Sequence, residues 1–170
     1  MANFNDRTFF LEETWYSSII LDVYTDASGA LGFGAIFGSR WCFGKRPATW
    51  SYRNIAILEF YPIVISLYLW GHAMRDRCIR FFTDTESLVH VINKQSSKDK
   101  SLMFFVRMLI LICLEYNIVF KAKHIAHVKN RLAGSLSRLQ VQYFKQLAPA
   151  HMFKLPTEIP LHLQPQSWQP

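Results

Sequence analysis

The sequence predicts an α/β domain: a mixed five-stranded sheet, its first three strands antiparallel, with helices on both faces. Three observations carry this expectation. The chain reads strand, strand, strand, helix, strand, helix, helix, strand, helix, an order that sets helices against the faces of a mixed sheet. Its first three strand candidates are separated only by short Ser-Gly and Gly-Ser turns, as in an antiparallel meander. A length of 170 residues, 51% of them hydrophobic, suits one domain with a substantial core plus extensions.

The elements follow in order. Residues 1–18 are polar with several aromatics and read as a lead-in or connection; 19–146 form the domain. IILDVYTDAS alternates as a strand, LGFGAIFG is an apolar, glycine-punctuated second strand, and SRWCFGKRP is a third. Asn54 is placed to cap a helix from Ile55 to about Met74, in which Pro62 removes one hydrogen bond and should introduce a kink. CIRFFTD is nearly continuous in apolar residues and fits a central strand. Leu88, Val91 and Ile92 give TESLVHVINKQ helical spacing, and Leu102 to Tyr116 make a second apolar helix after the break SSKDK. In IVFKAKHI, Ile118, Phe120 and Ala122 alternate with Val119, Lys121 and Lys123, which predicts a last strand. KNRLAGSLSRLQ is a short helix weakened by Gly134. Residues 147–170 are expected to be an extended tail, since the final 22 residues hold five of the seven prolines.

Composition narrows the function classes. Cys42, Cys78 and Cys113 are widely spaced within apolar runs, which argues against a disulfide framework or zinc site. The start MANFNDRTFF lacks the layout of a signal peptide, and an intracellular setting, cytoplasmic or nuclear, is expected. The longest apolar runs are interrupted by Glu59, Pro62 and Arg107 and are short for a bilayer span, so no membrane partner is expected. The net charge of +7 is unevenly placed. Tyr116 to Thr157 contains no acid but seven lysines and arginines, while the remaining 12 basic and 12 acidic residues cancel. Such asymmetry fits a surface for a polyanion, most simply nucleic acid, and equally a solvated lysine-rich face.

Three acids fall at telling places: Asp26 within the first strand, Glu59 in the first helix, and Asp84 where the fourth strand turns into a helix. Singly, each has an ordinary explanation as turn, dipole or cap residue. Together they carry more. Asp26 and Glu59 have apolar neighbours (VYTDA, AILEF), and carboxylates drawn toward a core edge are costly unless paired or metal-bound. Oxygen-only ligands suit Mg2+ or Mn2+ rather than zinc.

YTDASG, ILEF, FFTDTES and HIAHVKNRLAGSLSR, in that order on the predicted elements, resemble the ribonuclease H domain of retroelement reverse transcriptases, nearest to the DIRS-like retrotransposons. The resemblance spans about Ile19 to Arg138, and PTEIPLHL in the tail is also similar. It implies a ribonuclease H-like fold and two-metal hydrolysis of the RNA strand of an RNA/DNA hybrid. Asp26, Glu59 and Asp84 would be the ligands of two Mg2+ (or Mn2+) ions, with Asp26 bridging, and His124 would assist proton transfer or product release. In such a mechanism one ion activates water and the other stabilises the leaving 3′ oxygen, the pair about 3.5 to 4 Å apart. Lys121, Lys123, Lys129 and Arg131 are placed to grip phosphates, and Asn130 to hold the loop or touch a sugar. Trp50 and Tyr52 suit packing or a sugar platform equally.

The chain departs from the family pattern at Gly134, where a fourth carboxylate would help hold the water-activating ion. That ion should bind more weakly and turnover should slow. Ala126 and His127 replace a Pro-Gly pair; a loop histidine is usually solvated and is a poor ligand for magnesium. Glu86 is accounted for by the helix dipole. Two further readings remain beside an active ribonuclease: a nucleic-acid-binding remnant whose chemistry is lost at Gly134, and another nuclease of the same superfold, such as an integrase or junction resolvase. No polymerase motif is present, so a reverse transcriptase partner would lie upstream in a longer product or be absent.

Overall fold

A computed structural model describes residues 20–50 and 53–168. The lead-in expected at 1–18 and the side chain of Tyr52 lie outside them. Five strands, β1 (Ile20–Ala27), β2 (Gly32–Phe37), β3 (Arg40–Lys45), β4 (Cys78–Thr83) and β5 (Val119–His124), form one sheet in the order β3-β2-β1-β4-β5. The first three pair antiparallel, while β4 runs parallel to both β1 and β5. The mixed sheet and its antiparallel meander are those the sequence predicts.

Helix α1 (Ile55–Met74) starts where Asn54 accepts a hydrogen bond from the Ala56 N–H at 3.0 Å, and it continues through Pro62. It is apolar all round because it is buried nearly all round, lying under α3 (Lys100–Glu115) and against β1 and β2. By length and composition alone α1 would reach across a bilayer; here it is the central core helix. Helix α2 (Glu86–Lys94) packs on β5 and buries Leu88 and Ile92. On the opposite face α4 (Arg131–Ser137) and α5 (Val141–Leu147) cover β1 to β3 through a second apolar cluster of Ile36, Trp41, Ala133, Leu136 and Phe144. Cys42 and Cys113 are buried thiols, and Trp50 is a packing residue set edge-on to Tyr61 at 5.4 Å.

The proline-rich segment is extended for much of its length, and it is fastened to the domain. Trp41 donates its indole N–H to the Phe153 carbonyl at 2.7 Å, Tyr61 its hydroxyl to the Leu163 carbonyl at 2.7 Å, and Trp70 its N–H to Thr157 Oγ1 at 3.2 Å. Trp168 then sits among Tyr61, Tyr68, Phe104 and Phe105, with ring centroids 5.6 to 5.9 Å apart. Helices α1 and α3 and Trp168 thus share one aromatic core.

Candidate active site

Parallel pairing of β1 and β4 sets Asp22 beside Arg80 and Tyr24 beside Phe82. Continuing that register by two residues brings Asp26 alongside Asp84 on the same sheet face. Arg80 clamps Asp22 through two bonds of 2.7 and 3.0 Å, and the Tyr24 and Phe82 rings stack at 4.8 Å, so the two strands are held in step on the approach to the acids. Asp26 is buried, whereas Asp84 opens to solvent. Their carboxylate oxygens and a ring nitrogen of His127 all lie within 4.8 Å of one another.

Glu59 enters from α1, in the second turn, and is 1% exposed. It accepts the Ala27 backbone N–H on Oε1 at 2.8 Å and the Thr83 hydroxyl on Oε2 at 3.1 Å, tying it to the ends of both strands. Burial pushes its carboxyl well above the usual carboxylate range, and the charges of Asp26 and Asp84 push it further; the Ala27 and Thr83 bonds oppose the shift. Asp26 is raised as well, first by burial, with the Ser137 hydrogen bond, His127 and Arg138 pulling it back down. Asp26 and Asp84 therefore meet within ligand distance, while Glu59 lies outside that group but is coupled to both electrostatically; the shared negative charge is disfavoured there, and a hard divalent cation relieves it.

These carboxylates keep lone pairs for such an ion. Each Glu59 oxygen has one partner and keeps a lone pair, and Asp26 gives only Oδ2 to the Ser137 hydroxyl. His127 lies within ligand distance of Asp26 and Asp84, but both of its ring nitrogens are engaged: Nε2 faces Arg138 Nη2 and Nδ1 is 3.1 Å from Asp84 Oδ2. His127 is thus a bracket between Asp84 and Arg138.

Position 134 is aimed into this site. A Cβ on Gly134 would lie 3.9 Å from Asp26 Oδ2, 3.8 Å from His127 Cε1 and 3.4 Å from Arg138 Nη1. A fourth carboxylate there would face the cluster, and glycine leaves its place to the Arg138 guanidinium.

The other expected residues are distributed as follows. His124 ends β5, exposed and in register with Thr83, and among the described residues it is His127 that lies within ligand distance of Asp26 and Asp84. Which of the two histidines, His124 or His127, turns toward the acids is set by the 3-10 turn His127–Lys129, a detail that spacing does not reveal. Lys121 and Lys123 extend from the sheet face that carries Arg80 and Phe82. Lys129 and Arg131 are exposed, Arg131 donating to the Tyr143 hydroxyl at 2.9 Å. Asn130 is 3% exposed and gives its amide to the Thr25 carbonyl at 2.8 Å; of the two roles foreseen for it, it takes that of holding the loop, and its burial leaves no face for a sugar. Glu86 is an exposed first-turn residue of α2.

Two contributors were not anticipated. Ser137, visible beforehand only as part of a Leu-Ser pair, binds Asp26. Gly34, opposite Asp26 in the sheet, lets α4 come close: a Cβ there would stand 2.4 Å from Leu136 Cβ.

Sheet order and helix placement together make a ribonuclease H-like fold. No family model and no curated protein matches the chain. Among solved structures it is similar to ribonuclease H1 from the halophilic archaeon Halobacterium salinarum, at 13% identity and a TM-score of 0.55, over 72% of this chain and 98% of that one. It is similar to LC11 ribonuclease H1 in complex with an RNA/DNA hybrid, at 19% identity and TM-score 0.55, over 75% and 99% of the two chains. The foamy viral protease–reverse transcriptase, also in complex with an RNA/DNA hybrid, matches at 10% identity and TM-score 0.55, over 84% of this chain and 23% of that one.

Proposed function

We propose that this chain is a retroelement-derived ribonuclease H that cleaves the RNA strand of RNA/DNA hybrids, with a site weakened by Gly134. The observation that carries the reading is the meeting of Asp26 and Asp84 at the ends of neighbouring parallel strands, with Glu59 behind them and electrostatically coupled to both. The motif set supports an origin near the DIRS-like elements, and a reverse transcriptase upstream is the natural partner. The similar solved structures in complex with hybrid support the substrate class.

Asp26, Glu59 and Asp84 would hold Mg2+ or Mn2+, which when bound lowers the pKa of a water nucleophile and stabilises charge on the scissile phosphate and leaving oxygen. The chain's own residues do the rest. Glu59, fixed by the Ala27 N–H and Thr83 hydroxyl, keeps the strand ends in place, and Ser137 orients the Asp26 carboxylate. Lys121, Lys123, Lys129 and Arg131 bind backbone phosphates on either side of the exposed His124, which is placed to meet a substrate proton. A two-ion arrangement needs a further anionic ligand, and Gly134 does not provide one.

The test is incubation of the purified chain with a labelled RNA/DNA hybrid and Mg2+ or Mn2+. Cuts in the RNA strand that vanish in Asp26→Asn are expected; unchanged cutting by that variant would remove the site assignment. A second reading, a binding remnant without chemistry, is favoured by Gly134 itself. Gly134→Asp separates the two: the new side chain has room, and turnover should rise sharply if the missing ligand is what limits it. Hybrid binding that weakens steeply with salt, without cleavage in either form, would favour the remnant.

A further inference from the structure

We infer that Arg138, lying over Gly134, binds the scissile phosphate in place of a second metal ion, so that the site takes a single divalent cation. The inference rests on the ribonuclease reading above and goes beyond it in naming what occupies the fourth-ligand position.

Three observations carry it. The first is location. Outside the helix's own backbone and the glycine's chain neighbours, Arg138 Nη1 is the nearest atom to where a Gly134 side chain would begin, at 3.4 Å, and Asp26 Oδ2 is only 3.9 Å from the same point. A guanidinium there shares the ground that a metal ligand would otherwise claim, and a fixed positive charge repels a second dication. The second is orientation. Nη1 points to the Gly134 carbonyl at 3.4 Å, a long bond, and Nη2 donates to His127 Nε2, which Asp84 holds in turn through Nδ1 at 3.1 Å. The Asp84–His127 pair thus aims the guanidinium at the carboxylate cluster. The third is what Arg138 lacks. Among the described residues, no carboxylate lies within ion-pair distance of it, although its charge is felt at Asp26. Neither of its partners, the Gly134 carbonyl and the His127 ring, is an anion, and a phosphate accepting two parallel N–H bonds would be a stronger one.

Gly134 and Arg138 then make sense together. Losing a carboxylate removes one negative charge from the site; a guanidinium in its place supplies positive charge to the substrate without needing a ligand. A single cation at Asp26, Glu59 and Asp84, with Arg138 across from it, would leave the scissile phosphate flanked by positive charge on two sides.

The experiment uses the full chain and two readouts other than turnover. Mn2+ binding is followed by calorimetry, and binding of an RNA/DNA hybrid is followed in Ca2+ across a salt series. The wild type should take one Mn2+ per chain. Arg138→Ala should tighten Mn2+ several-fold, by removing a repelling charge, while weakening hybrid binding about tenfold and reducing the salt slope by about one. Arg138→Lys should keep the slope and recover part of the affinity. Opposite signs for metal and hybrid are the signature, because a surface arginine gripping a distant phosphate would weaken hybrid binding and leave Mn2+ untouched. Two Mn2+ ions in the wild type, or Mn2+ affinity unmoved in Arg138→Ala while the wild type still cuts hybrid, would overturn this inference and leave the ribonuclease reading standing. A wild type that neither binds nor cuts hybrid would remove both.

Discussion

Gly34 and Leu136 are in backbone-to-side-chain contact: a methyl group on Gly34 would stand 2.4 Å from Leu136 Cβ, inside any tolerable separation. Because Gly34 is the register partner of Asp26, the bare backbone at this one position lets α4 rest on the sheet and carry Ser137 and Gly134 to the acid. Gly34→Ala should therefore cost about 1 to 3 kcal/mol through overpacking and should cut hybrid cleavage more than its stability loss explains. Denaturant unfolding and an activity assay well below the melting temperature check the two parts.

Glu59→Gln should stabilise the metal-free chain at pH 7. The folded carboxyls of Glu59 and Asp26 both titrate above the ordinary carboxylate value. Below that value both states are protonated and there is no penalty. As pH rises from there toward the folded values, the unfolded chain releases protons that the folded chain retains, so stability falls, and above them the penalty is complete. The metal-free wild type should melt higher in mildly acidic buffer than at neutrality, and Glu59→Gln should flatten that dependence while keeping an oxygen for the Ala27 N–H. Mn2+ at pH 7 should raise the wild-type melting temperature. Scanning calorimetry from pH 4 to 8, with and without Mn2+, is the measurement; a melting temperature that rises with pH in the metal-free protein would contradict the assignment.

Asn130→Ala should lower stability by about 1 to 3 kcal/mol, since it leaves the buried Thr25 carbonyl without its partner. It should leave the salt slope of hybrid binding unchanged. Lys123→Ala and Lys129→Ala, both at exposed positions, should each reduce that slope by about one with little effect on unfolding. Binding isotherms at several salt concentrations, read beside chemical denaturation, separate the two kinds of residue.

Trp168→Ala should cost about 3 to 5 kcal/mol, the usual range for emptying a large aromatic site. Four rings surround this side chain, which is 8% exposed. A loss much below 1 kcal/mol in urea unfolding would mean that the proline-rich segment is not fastened as described.

Local signals made most of the fold readable in advance. Asn54 fixed the start of α1 because its cap bond is made within two residues, and the burial of Phe120 and Ala122 against exposed Lys123 follows the alternation seen in β5. Asp26 and Glu59 stood out as candidates for a related reason, since acids among apolar neighbours mark themselves, and Asp84 because it closes a strand. Features assembled across the chain were not. Helix α5 has no side-chain cap and buries only Phe144, so nothing in VQYFKQL separates it from a continuation of α4; a left-handed Leu139 makes the break. The inward turn of His127, the seat of Arg138 and the spacing role of Gly34 each depend on a partner a hundred residues away or on the path of one short turn. The anchoring of the last segment likewise rests on long-range bonds from Trp41, Tyr61 and Trp70.

The way that segment crosses β3 has one more consequence. An outer strand offers unsatisfied carbonyls and amides to any chain that drifts by, which is how sheets recruit copies of themselves into aggregates. Here Phe153 and Thr157 use their own N–H groups to fill the Ser39 and Trp41 carbonyls, at 2.9 and 2.7 Å. Pro149, Pro156 and Pro160 contribute no N–H of their own, so the cover is a poor template for a further strand. Trimming the chain before Pro149 would expose a recruiting margin, and the shortened protein should self-associate at concentrations where the 170-residue chain stays dispersed.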